Sequence, residues 1–237
     1  MTEEDFQEIS DEFSERLLVA MDEAGRRRIE IMNKAKKYLK TARDNELEWE
    51  LISLVEASLS SSDGGESEGR ALMVIGEAGV GKSRALRRAF DMRGELRSAE
   101  DSSPLVRIIA PSPCTLKQLG RELLKGLGYP IEQDLKEHLV WEKVRSKLRL
   151  RRVRLVWIDE MHHAMRGTEV QKLRDTVKNV MQQPEWPVSF VLSGMPALSD
   201  FFQGDFQFQR RKRVIYFYSL EFPRHVKLGS GPIKNLS

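Results

Sequence analysis

Short apolar runs and amphipathic stretches alternate along most of this chain. Five runs are apolar almost throughout: Ala71–Ile75, Leu105–Ile109, Val153–Ile158, Val188–Leu192 and Val214–Tyr218. Runs of this length, bounded by polar or turn residues, predict buried strands. Between them apolar residues recur three and four apart, as expected of helices. Leu116, Leu119, Leu123 and Leu124 form one such stripe, closed by Gly126, Gly128 and Pro130. Further helices are predicted over Arg84–Met92, Leu135–Leu148 and Val170–Met181. Strands separated by helices predict a parallel sheet, with all the C-terminal strand ends along the edge where ligands bind.

Residues 1–59 contain no proline and read as helix. Phe6, Ile9, Phe13 and Leu17 mark one amphipathic face, after which Gly25 is expected to interrupt. Ile29, Met32, Ala35 and Leu39 then supply an apolar stripe beneath Arg26, Arg27, Arg28, Lys34, Lys36, Lys37 and Lys40. Those cations read either as a solvated face or as a contact to DNA phosphates or a partner protein. Leu47, Leu51, Leu54 and Val55 give another helix face. The Ser/Gly/acid-rich segment Ser58–Gly69 reads as a mobile loop. The expected organisation is a helical N-terminal extension (1–59), an α/β core (70–220) and a short tail (221–237).

The chain has 237 residues, 40% hydrophobic and 32% charged, enough for one large α/β domain with an appendage. Its net charge of +3 is too small to establish a nucleic-acid partner. Two local clusters change that picture: Arg145, Lys147, Arg149, Arg151, Arg152 and Arg154 before the third strand, and Arg210–Arg213 before the fifth. The first reads as a solvated face or as a track for a DNA backbone. No aromatics interleave with it, which argues against a single-strand stacking platform. A lone cysteine, Cys114, excludes an intramolecular disulfide and fits a reducing cytoplasm. No apolar run reaches membrane-span length, and the acidic N-terminus lacks a secretory core, so a soluble cytoplasmic protein is expected.

The chemistry concentrates at strand ends. Gly76-Glu77-Ala78-Gly79-Val80-Gly81-Lys82-Ser83 reads G-x-x-x-x-G-K-S between the first strand and a helix beginning near Lys82 and Arg84. Such a loop turns backbone N–H groups around a phosphate chain, with Lys82 on the β- and γ-phosphates and Ser83 on Mg²⁺. Asp159 and Glu160 directly follow the third strand. That position suits Asp159 as a Mg²⁺ ligand and Glu160 as the group that orients or deprotonates water. Ser193 ends the fourth strand, and its hydroxyl is expected to face the γ-phosphate and the lytic water. His162 and His163 are adjacent and expected to diverge, which disfavours a shared metal. Arg210 and Arg211 are candidates for a finger supplied to another subunit's γ-phosphate.

Assembled, these residues resemble the AAA+ ATPases, with Gly76–Ser83 as Walker A and Asp159-Glu160 as Walker B. More narrowly, the chain is similar to the TniB-like DNA-transposition ATPases. The narrower likeness rests on Ala110-Pro111-Ser112-Pro113, on Leu123–Pro130, on Ile158-Asp159-Glu160-Met161-His162, and on Asp205-x-Gln207 followed by Arg210-Arg211. The resemblance implies a P-loop NTPase with a five-stranded parallel sheet flanked by helices, binding ATP and Mg²⁺. It implies head-to-tail homo-oligomers on duplex DNA that recruit or regulate a transposase, with Arg211 best fitting the finger. The family's helical lid after the fifth strand is expected to be missing or truncated, because only Glu221–Ser237 remain for it. A nucleotide-binding adaptor with little hydrolysis is the alternative. A helicase of the Asp-Glu-x-His type needs a second RecA-like domain, for which the chain has no room.

Overall fold

The computed structural model describes residues 13, 16–17, 19–35, 38, 40–60, 68–99, 102–202 and 206–219. The chain divides into two compact units, residues 1–40 and 41–237.

In the first unit, helix α1 spans Glu23–Ala35. The Gly25 N–H donates to Asp22 Oδ1 at 2.7 Å, which caps the first turn. The break expected at Gly25 therefore falls earlier, at Met21–Asp22, with Gly25 inside the helix. Phe13 and Leu17 are exposed. Phe6, Ile9 and Leu39 lie outside the described residues, as do the side chains of Met32 and Ala35.

The second unit opens with α2, Ala42–Ser60. Its start is capped by Asp44, whose carboxylate accepts the Thr41 N–H at 2.7 Å. Five strands follow: β1 Ala71–Gly76, β2 Leu105–Ile109, β3 Leu155–Asp159, β4 Ser189–Gly194 and β5 Lys212–Phe217. They form one sheet in the order β2-β3-β4-β1-β5, and every pairing is parallel. The helices are α3 Lys82–Asp91, α4 Leu116–Gly126, α5 Glu137–Leu150, α6 Val170–Met181 and the short α7 Phe206–Gln209.

The three inner strands are buried along their whole length, which is why the sequence there is continuously apolar. The edge strand β5 alternates, with Ile215 and Phe217 inward. Helix α2 packs on β1, β5 and α3, so the Leu47, Leu51, Leu54 and Val55 face seals the sheet of the second unit. It also continues through the start of the expected loop. Ser58 is helical, and its hydroxyl donates to the Leu54 carbonyl and bonds Ser189 Oγ, both at 2.8 Å, tying α2 to β4. Residues 61–67 and the tail 220–237 lie outside the described residues.

Parallel registry brings the C-terminal ends of the inner strands to one edge. Ile75 pairs Gly194, and Ile109 pairs Asp159. The loop after β1, the acidic pair after β3 and the serine of β4 thus meet without any element reaching across the molecule.

Candidate functional site

Gly76 ends β1 so close to β5 that a Cβ there would lie 2.3 Å from the Phe217 carbonyl oxygen. Only glycine fits. Gly81 precedes α3 with φ 96°, a left-handed turn that aims the helix N-terminus into the loop. Lys82 is the first residue of α3 and is buried at 6% exposure. Its Nζ donates to the carbonyl oxygens of Gly76 and Glu77, both at 2.8 Å, so the ammonium lies at the mouth of the loop. Burial lowers the Lys82 pKa below the usual lysine value, while the carboxylates of Glu160, Asp159 and Glu77 oppose that shift.

A residue the sequence did not flag also holds this loop. Arg43, in the first turn of α2, donates from Nη2 to the Val80 carbonyl at 3.0 Å and from Nη1 to the Tyr218 carbonyl. Its guanidinium lies 4.8 Å from the centre of the Phe217 ring. One cation therefore ties α2, the glycine loop and the end of β5 together. Nothing local in the sequence separates it from the neighbouring solvated cations.

Across the loop, Asp159 is buried. Its Oδ1 accepts from Ser193 Oγ at 2.6 Å and from the Glu160 N–H at 3.0 Å, leaving Oδ2 for another partner. Ser193 is fully buried, and its Oγ also accepts from Trp157 Nε1 at 2.8 Å. The expected hydroxyl facing a γ-phosphate is instead directed at Asp159, forming a Trp157–Ser193–Asp159 chain beneath the site. Trp157 is in turn packed on Phe90 of α3, with ring centroids 5.3 Å apart.

Glu160 adopts a left-handed backbone, φ 56° and ψ 27°, which is strained for a residue with a Cβ. This conformation starts a 3₁₀ turn over Met161–Arg166. Glu160, His162, Lys82, Ser83 and Arg84 line one cavity of about 260 Å³ with Ala78, Gly79, Gly81 and Met195. The Ser83 hydroxyl and Asp159 carboxylate offer hard oxygens, the donor type Mg²⁺ prefers.

His162 is buried, and its Nδ1 lies 3.2 Å from Glu160 Oε2 without hydrogen-bond alignment. Burial depresses the pKa of this imidazole, with Glu160 opposing the shift and His163, Arg166 and Lys82 adding to it. The His162 and His163 rings do not diverge as the sequence implied. Their centroids are 4.5 Å apart, with the ring planes inclined at 56°.

The remaining expected residues lie elsewhere. Arg210 and Arg211 line a second cavity, about 280 Å³, with Trp49, Glu50, Arg70, Lys212 and Arg213. Because Lys212 pairs Ala71 and Phe217 pairs Gly76, this cavity is at the far end of β1, about 16 Å along the strand from the loop. Arg211 forms an ion pair with Glu68, whereas Arg210 is exposed. Asp205, part of the same sequence segment, lies outside the described residues. In the cluster before β3, Lys147 lies over the Tyr129 ring at 3.8 Å, Arg154 over the Trp186 ring at 3.6 Å, and Arg149 pairs with Glu185. Aromatics distant in sequence thus engage two of its six cations.

Among the described residues, no helix is long and apolar enough to cross a membrane. Residues 65–202 match the family model described as an AAA domain. No curated protein matches the chain significantly. Among solved structures, the chain is similar to the ADP form of the ORC2 protein of Aeropyrum pernix, with TM-score 0.57 and 16% identity over 77% of this chain and 50% of that one. It is also similar to the Cdc6p protein of Pyrobaculum aerophilum, with TM-score 0.54 and 14% identity over 77% of this chain and 47% of that one. The chain spans about half the length of these structures, and at such identities the likeness is one of fold.

Proposed function

The chain belongs to the AAA domain family, and from that premise we propose that it binds ATP with Mg²⁺ and hydrolyses it at the edge formed by Gly76–Arg84, Asp159 and Glu160. The observation that carries this reading is the single cavity shared by Lys82, Ser83 and Glu160. The loop N–H groups and Lys82 hold the phosphates, and Arg84 borders them. Ser83 and Asp159 are the ligands for Mg²⁺. Mg²⁺ held there would supply positive charge to offset that of the phosphates. Glu160 orients the attacking water from the cavity wall, beside His162. Ser193, held by Trp157, fixes Asp159 rather than touching phosphate. Arg210 and Arg211 act on a neighbouring copy, since they sit a strand length from their own loop.

The finer reading is an accessory ATPase of DNA transposition that oligomerises on duplex DNA and recruits or regulates a transposase. Its support is the run Ile158–His162, the turn Ala110–Pro113 and the arginines before β5. The alternative, a nucleotide-binding adaptor with little turnover, gains support from the Arg211–Glu68 ion pair, which engages one finger candidate within its own chain.

ATP turnover measured with and without duplex DNA, alongside electron microscopy of the same samples, separates these readings. DNA-stimulated turnover and ATP-dependent assemblies on DNA are expected. ATP binding without turnover or assembly on DNA would favour the adaptor, and no ATP binding would remove both.

A further inference from the structure

We propose that Glu160, His162 and His163 form a binding site for a first-row transition-metal dication of the Zn²⁺ class, separate from the Ser83–Asp159 pair. Among the described residues, one ligand atom from each of the three lies within 4.8 Å of the other two. The Glu160 Oε2 to His162 Nδ1 separation of 3.2 Å is already that of neighbouring ligands on one tetrahedral ion, given metal–ligand bonds of about 2.0–2.2 Å.

A second observation points the same way. His162 is 95% buried by its 5% exposure, and its Nδ1 has no hydrogen-bond partner in the structure. A buried imidazole nitrogen left unpaired is costly, and a metal bond would satisfy it. His163 carries the outer contact that metal-bound histidines usually make: its Nδ1 faces the Ala110 carbonyl oxygen at 3.4 Å. A proton on that nitrogen leaves the lone pair on Nε2. Two imidazoles and one carboxylate favour Zn²⁺ over Mg²⁺, which prefers all-oxygen sites. Glu160 is partly exposed on the cavity wall, so water can supply a fourth ligand.

Coordination of Glu160 would remove the carboxylate that orients water. Zn²⁺ would then stop turnover while leaving the phosphate loop intact. That regulatory consequence rests on the ATPase reading; the metal site itself does not.

The test is a titration of the untagged, nucleotide-free full chain with CoCl₂, read by visible absorption, then displaced with ZnCl₂. One Co²⁺ per chain with a low-coordinate visible band is expected. His162→Ala and His163→Ala should each weaken binding by about 100-fold or more, beyond the roughly 10–100-fold loss typical of outer-contact changes. The exposed His138→Ala should leave it unchanged. Lys82→Ala touches no proposed ligand, so Co²⁺ binding should persist there as ATP binding is lost. That variant distinguishes failure of the nucleotide reading from failure of this one. Absence of the band in wild type, or undiminished binding in the folded, partly exposed His163→Ala variant, would overturn the proposal.

Discussion

Ser193 Oγ donates to Asp159 Oδ1 at 2.6 Å while accepting from Trp157 Nε1 at 2.8 Å. A strand-end serine that sequence position alone would aim at substrate is thus a strut between a buried indole and a carboxylate.

Removing that strut should cost stability as well as function. Ser193→Ala leaves the Trp157 N–H buried without its acceptor, a loss of about 1–3 kcal/mol in urea unfolding. Trp157→Phe removes the orphaned donor, so the double variant should depart from additivity by about 0.5–3 kcal/mol. Strict additivity would mean the two groups do not act through each other.

Lys82→Ala should weaken ATP binding by on the order of 100-fold or more, because charge-assisted hydrogen bonds contribute roughly 1.5–3 kcal/mol each. Titration with a fluorescent ATP analogue measures this. An affinity within a few-fold of wild type would place the phosphates elsewhere.

Glu160→Gln keeps size and hydrogen bonding but removes the charge that activates water. ATP binding should persist within a few-fold, with turnover reduced by about 10²–10⁴-fold. Near-normal hydrolysis would assign the base to another group.

Arg210→Ala should bind ATP normally as a monomer yet lose assembly-dependent hydrolysis. Mixing it with Lys82→Ala subunits should restore part of the activity, because each supplies what the other lacks across an interface. Arg211→Ala breaks the Glu68 ion pair and should lower stability by no more than about 1 kcal/mol. Full activity in both variants would remove this segment from the finger role.

The buried Cys114 thiol is pushed up to about 11, first by burial and then by the Glu169 charge. Its folded value lies above the ordinary 9.0. The stability it contributes is therefore present below about 9 and lost as pH rises through about 11. Iodoacetamide at pH 8.5 should label the urea-unfolded chain but not the native one. Fast native labelling would show that the segment opens.

All five strands were legible, because β1, β3 and β4 are buried on both faces and leave uninterrupted apolar runs. The glycine loop and the Asp159–Glu160 pair were legible because their chemistry is local in sequence. What stayed hidden was pairing at long range. Trp157 and Ser193 are 36 residues apart, and Arg43 reaches Val80 across 37. No spacing rule links such positions. The 4.5 Å approach of the His162 and His163 rings is also visible only in the structure, because adjacency in sequence does not fix side-chain rotamers. Gly25 does not break the helix, because Asp22 supplies the cap that lets the helix begin before it.

Under the proposed role of Glu160 in orienting water, its left-handed backbone sets protein durability against enzyme speed at one position. Glycine would occupy that shape with less strain, by about 1 kcal/mol or more, and asparagine with somewhat less. A library screened only for heat resistance should therefore enrich Gly or Asn at 160, and the survivors would be the slowest catalysts in the pool.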